Sequence, residues 1–137
     1  AAVCGGFKNN AKAVLTAVVG GQSNIANGNY STVSGGQLNE VDGQSSSISG
    51  GFNNWVGGLY SSISGGHSNE IATTARFSSI TGGKENEVSA SVHYGSILGG
   101  YDNSITNNGG ASPRRGWYAT VLGGDGNTTF DEYDVTP

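Results

Sequence analysis

Methionine is absent from this chain, cysteine occurs once, proline twice, and Asp, Glu, Lys and Arg together supply only 12% of the 137 residues. Each scarcity excludes something. With Cys4 alone there is no intrachain disulfide framework, and its thiol either stays free or pairs between chains. So few charges exclude a disordered polyelectrolyte. The net charge of -4 and the pI of about 4.9 run against the basic surface that nucleic acid requires. No apolar run approaches the ~20 residues of a membrane-spanning helix, so no membrane insertion is expected of this segment. Apolar residues, at 34%, are too sparse for a thick two-layer core. The start Ala1-Ala2-Val3, without an initiator, fits a processed or truncated chain, such as one left by signal-peptide removal.

What the chain has in abundance is glycine, 25 residues of it, set in a repeat. Val33-Ser34-Gly35-Gly36-Gln37-Leu38-Asn39-Glu40-Val41 shows the form: a β-branched residue, one residue, Gly-Gly, two variable residues, Asn and, two further on, an apolar residue. The Asn positions are Asn9, Asn24, Asn39, Asn54, Asn69, Asn86, Asn103 and Asn127. The doublets begin at Gly5, Gly20, Gly35, Gly50, Gly65, Gly82, Gly99 and Gly123, so the links are 15, 15, 15, 15, 17, 17 and 24 residues long. Glycine pairs at this interval break a helix, and the β-branched residues favour strands. The expected fold is therefore all-β: a parallel β-solenoid (β-roll or β-helix) of about eight coils of 15–17 residues, with one longer insertion near the C-terminus. It forms a single domain over 1–137, with repeats at about 3–129. At ~4.8 Å per coil the rod is roughly 35 Å long.

Side-chain direction follows from the strand period of two. The Val or Ile before each doublet points inward, and its neighbours, such as Thr32 and Ser34 or Ser62 and Ser64, point outward. A second strand carries Val41, Val56, Ile71, Val88 and Ile105. Gly-Gly makes a turn, since glycine tolerates positive φ. The aromatic residues three before the Val/Ile (Tyr30, Tyr60, Phe77, Tyr94 and Tyr118) are expected to stack near a coil corner. The recurring Asn suits a left-handed turn position and bonds the backbone of its own or the next coil. Asn24, Asn39, Asn54, Asn69, Asn86 and Asn103 are thus read as a structural ladder.

The pattern loosens toward the C-terminus. Two links gain residues around Thr73-Thr74-Ala75-Arg76 and Ala90-Ser91-Val92-His93, and a third gains the loop 107–116. Insertions in solenoids map to loops on one edge, often the binding edge. Arg114 and Arg115, beside Trp117, are the candidate binding residues. An acidic tail occupies 130–137, after an incomplete final coil. Trp55 and Leu59 interrupt the polar pattern of neighbouring coils and, with Cys4, are candidates for self-association; local corner packing is the alternative for Trp55.

Motifs for chemistry are few. His67 stands at a variable position after a doublet and His93 in an insertion. No His-x-x-x-His, Cys-x-x-Cys, Gly-x-Ser-x-Gly or phosphate-loop pattern occurs, so neither an enzyme, a metal site nor a cofactor is expected. Glu40, Glu70 and Glu87 share one repeat position and are read as solvated, with a cation bridging Glu70 and Glu87 as the alternative. Asp125, Asp131, Glu132 and Asp134 lack the Gly-Gly-x-Gly-x-Asp pattern of calcium β-rolls. Asn29-Tyr30-Ser31 and Asn127-Thr128-Thr129 are glycosylation sequons.

Tyr30-Ser31-Thr32-Val33-Ser34-Gly35-Gly36 and Tyr60-Ser61-Ser62-Ile63-Ser64-Gly65-Gly66, each followed by x-x-Asn, resemble the head repeats of trimeric autotransporter adhesins and are similar to Ser-Gly-Asn repeats of some phage or virus fibres. The resemblance spans about residues 3–129 and implies a β-roll packed with two other copies about a threefold axis. The expected function is a non-enzymatic structural or adhesive fibre module, extracellular or at a cell surface. It associates with itself as a homotrimer or head-to-tail filament and presents loops to a host or surface glycan or protein. Ice binding by the Ser/Thr face is an alternative, although the 17- and 24-residue links are expected to spoil a flat lattice. A polysaccharide-binding or -degrading fibre segment is another.

Overall fold

The computed structural model describes residues 1–107, 117–130 and 135–137, and within them the chain is an all-β parallel solenoid of about eight turns. One sheet has nine strands: Ala2–Val3, Ala17–Val18, Thr32–Val33, Ser47–Ile48, Ser62–Ile63, Ser79–Ile80, Ser96–Ile97, Thr120–Val121 and Val135–Thr136. The other has eight: Asn10–Ala11, Ile25–Ala26, Glu40–Val41, Trp55–Val56, Glu70–Ile71, Glu87–Val88, Ser104–Ile105 and Thr128–Thr129. Each strand pairs in parallel with its equivalent in the next coil. Between the sheets a third rung of single bridges runs from Phe7↔Gln22 to Tyr101↔Asp125. Every coil thus turns three sides, and its two-residue strands are short because three corners must fit into fifteen residues.

The interior is two facing aliphatic columns. Ile48, Ile63 and Ile80 stand in register in one and are at most 1% exposed; Val41, Val56 and Ile71 are fully buried in the other. A buried Val or Ile contributes about 1.5–3 kcal/mol, and only these small aliphatics fit so narrow a cross-section. The columns run out at the N-terminal end, where Val3 is 48% exposed.

The corners demand backbone that most residues avoid. The second glycine of each doublet has positive φ, as Gly36 (83°) and Gly66 (95°) show. A Cβ on Gly66 would lie 2.2 Å from the carbonyl oxygen of Gly83, so glycine is obligatory there. The first glycine is different: Gly35 and Gly65 have no positive φ, and a Cβ on either meets nothing within 4 Å. The expectation that Asn occupies the left-handed position is corrected. That conformation belongs to the residue before it, such as Leu38 (φ 59°) or Ser68 (φ 54°), while Asn itself is buried. The displacement by one residue turns the amide inward, where it can reach two coils at once.

The two shorter insertions, around 73–76 and 90–93, do not project as free loops. Thr73 and Thr74 form a turn, Arg76 bridges to His93, and each enlarged corner buries an extra side chain, Ala75 or Val92. Both sheets stay in register through them: Ser62 pairs with Ser79, Ser79 with Ser96, and Ser96 with Thr120. Growth at one corner leaves the other two sides unchanged, so the expectation of a disrupted lattice does not hold for the nine-stranded sheet. Beyond the eighth doublet, Val135–Thr136 adds one more strand on Thr120–Val121.

Candidate functional site

No cleft organises this molecule; its chemistry is laid out in lines parallel to the axis. The innermost is the Asn ladder. Asn69 Nδ2 donates to the Gly65 carbonyl of its own coil (3.1 Å) and to the Gly83 carbonyl of the next (3.1 Å). Asn69 Oδ1 accepts the backbone N–H of Asn86 at 3.0 Å. Asn24, Asn39, Asn54, Asn86 and Asn103 repeat the arrangement at the same corner. Each amide oxygen takes the buried N–H of the next ladder Asn, while its Nδ2 adds a second donor to the next-coil glycine carbonyl; an unmade bond to a buried N–H costs about 1–3 kcal/mol.

A second inner polar line went unpredicted. Ser31, Ser46, Ser61 and Ser78 are at most 3% exposed, two residues before the inward Val or Ile. Ser46 Oγ donates to the Gly58 carbonyl (2.8 Å) and accepts the Ser61 N–H (3.0 Å); Ser61 Oγ accepts the Ser78 N–H (3.1 Å). The period of two that placed Ile48 inward also places Ser46 inward, so the signal was present. Where the corners are enlarged the line ends: Gly95 follows, and its Cβ would sit 3.0 Å from Val92, the inserted buried residue.

The aromatic column forms, but only over four coils. Tyr60, Phe77, Tyr94 and Tyr118 stack at 5.1, 5.1 and 4.7 Å with planes within 10°. Tyr30 stands outside it because Ser45 occupies the intervening position. All five aromatics adopt positive φ, from 54° to 60°, an unfavourable state for residues with a Cβ. Stacking worth about 0.5–1.5 kcal/mol per pair offsets part of that cost. Since the rings cover one another's faces, mainly edges turn to solvent. A sugar ring that stacks on an aromatic face finds little platform there.

Beside that column His93 stacks on Trp117 at 4.3 Å, and the Trp117 Nε1 donates to the Ser91 carbonyl at 3.0 Å. Partial burial, then the positive charge of Arg76, lowers the His93 pKa. Trp117 is therefore built into the corner next to the long insertion. Arg114 and Arg115 lie outside the described residues, as do Asp131, Glu132 and Asp134. His67 is exposed and stacks on Phe52 at 5.0 Å.

While Lys84, Glu85, Asp102 and Asp125 lie on the third, bridged side, the eight-stranded sheet carries a line of carboxylates. Glu40, Trp55, Glu70 and Glu87 succeed one another at its outward position. Asn27 Nδ2 donates to Glu40 (2.9 Å) and Asp42 (2.7 Å), and Trp55 Nε1 donates to Asp42 (2.9 Å). The Trp55 ring also lies over Gly57, where a Cβ would come within 2.8 Å of it. This is local packing, although part of the ring remains open to solvent. Partial burial of the carboxylate, then neighbouring Glu87, raises the Glu70 pKa, although the residue as a whole stays exposed. Among the described residues no three His, Cys, Asp or Glu converge as a metal-binding group. Leu59 is half-buried and Cys4 is exposed with a free thiol. Asn29 is exposed with Oδ1 accepting the Val14 N–H, whereas the Asn127 amide is engaged in the ladder, so the two sequons differ in availability.

No protein-family model matches this chain, and no curated protein sequence matches it. The reading rests on its own geometry.

Proposed function

We propose that this chain is a structural or adhesive fibre module, extracellular or at a cell surface, that associates with copies of itself and presents its loops and corners for contact. The observation that carries the reading is the unbroken axial register: both sheets and the Asn ladder keep step across links of 15, 17 and 24 residues. That construction makes a stiff spacer. Electron microscopy tests the proposal; dimers, trimers or filaments are expected, and uniformly monomeric particles would overturn it. Arg114→Ala is expected to leave the circular dichroism intact and to weaken contact with surfaces or other copies.

Ice binding is a second reading, favoured by one specific observation. The outward hydroxyls of Thr32, Ser47, Ser62 and Ser79 form a continuous row along the nine-stranded sheet, with Ser79 Oγ 3.3 Å from Ser96 Oγ. Thermal hysteresis in a folded sample is its test.

A further inference from the structure

We infer that the outer face of the nine-stranded sheet is a self-association surface, covered face to face by a second copy of this chain about a two-fold axis. The inference rests on the self-association reading above and adds the face and the geometry.

Charge is segregated away from this sheet. Its outward positions are the first residue of each strand and the residue just after the strand, as in Ser62 and Ser64. None of them, from Ala2 to Pro137, is Asp, Glu, Lys or Arg. The opposite sheet presents Glu40, Asp42, Glu70 and Glu87. In a chain of net charge -4, pairing charged faces sets like charges together, whereas pairing this one does not. Depletion of charge at the centre of a patch is also the compositional mark of an interface.

Along the axis the same face is patterned apolar, hydroxyl, apolar. Val19 at one end is 50% exposed; Leu98, Leu122 and Val135 at the other are 49%, 52% and 60% exposed. Thr32 to Thr81 supply hydroxyls between them. The strand Ser62–Ile63 lies midway between the strands that precede Val19 and Leu122, three strands from each. A two-fold axis lying between the two faces, parallel to this strand, places Val19 opposite the partner's Leu122, Ser47 and Ser49 opposite the partner's Ser79 and Thr81, and Ser64 beside the partner's Ser64; Leu98 meets the partner's Ser34 and Thr120 the partner's Ala17. A surface that matches itself in this way is what an isologous dimer requires. Ice is matched less well, because Val19, Leu98 and Leu122 bound the second of the two hydroxyl rows and shorten it to the run from Ser34 to Thr81. The first glycines of the doublets border the face. A Cβ on Gly65 meets nothing within its own chain, so close approach of another backbone gives that position a reason for glycine.

The test is the mass of the full chain by analytical ultracentrifugation from micromolar to millimolar concentration, with circular dichroism as the fold check. Wild type is expected to dimerise. Ser64→Arg is expected to weaken the dimer by about tenfold or more, since it sets like charges together at the axis. Gln37→Arg, on another side, is expected to leave it unchanged. An equimolar mixture of Ser64→Arg and Ser64→Glu is expected to restore association. If Ser64→Arg loses the β signal, Ser49→Arg on the neighbouring strand serves in its place. A wild-type oligomer equally insensitive to Ser64→Arg and Gln37→Arg would overturn this face and leave the fibre reading standing, and failure of the mixture to recover would overturn the two-fold. A wild-type monomer throughout would remove both readings, and thermal hysteresis from that monomer would assign the face to ice.

Discussion

The two sheets share a backbone, a repeat and an interior, yet their outer faces have little in common. Behind each stands a column of buried Val and Ile in continuous register. In front, the eight-stranded sheet carries carboxylates tied to Asn27 and Trp55, while the nine-stranded sheet carries uncharged hydroxyl and apolar side chains. A strand of two residues exposes alternate positions, so the solenoid constrains the inward set and leaves the outward set free to diverge. Inward residues therefore report the fold, and outward residues report what each face meets.

The largest effect should come from attacking what the sheets share. Ile63→Asp buries a charge with no partner and is expected to cost more than about 4 kcal/mol. Val56→Asp on the opposite column should do the same. Both are read as loss of the β-type circular dichroism, and retention of that signal by one alone would break the equivalence of the two interiors. Next in size is the doublet that joins the sheets. Gly66→Ala drives a Cβ toward the Gly83 carbonyl at a φ of 95° and is expected to cost about 2 kcal/mol or more. Gly65→Ala should stay within about 0.5 kcal/mol in the isolated chain. Thermal melts of the pair separate the obligatory glycine from the optional one.

Asn69→Ala leaves the buried Asn86 N–H unpaired and takes one bond each from the Gly65 and Gly83 carbonyls, and is expected to lower stability by about 1–3 kcal/mol. The smallest effect distinguishes the outer faces by pH. Because the folded-state pKa of Glu70 is raised, the stability it lends is present at acid pH and is lost as pH rises through that value. Glu70→Gln should therefore raise the melting temperature slightly at neutral pH and flatten its pH dependence. Ser62→Ala on the other sheet should leave the pH profile unchanged.

Particular residues show what was legible before the coordinates. Ile48, Ile63 and Ile80 could be placed in one column because a two-residue period and a fixed repeat leave no other inward set. Asn39 was recognisable as a ladder residue, but its left-handed neighbour Leu38 was not. Leu has no local preference for positive φ, and only closure of the coil imposes it. Tyr60, Phe77 and Tyr94 were legible as a stack, since one missing ring, at Ser45, was all that excluded Tyr30. The bond of Trp55 to Asp42 and its place over Gly57 join residues that its sequence position alone did not connect.

Taken by itself, the order of amino acids determined that this chain coils, how often, and which aliphatics lie inside, because glycine spacing and strand alternation are local properties. Tertiary structure decided which glycine of each doublet is indispensable, where inserted residues are absorbed, and that, among the described residues, no charged side chain stands on the outer face of one sheet. Those outcomes depend on coils stacking about 4.8 Å apart, a proximity between residues fifteen or more positions apart that no short stretch of chain contains.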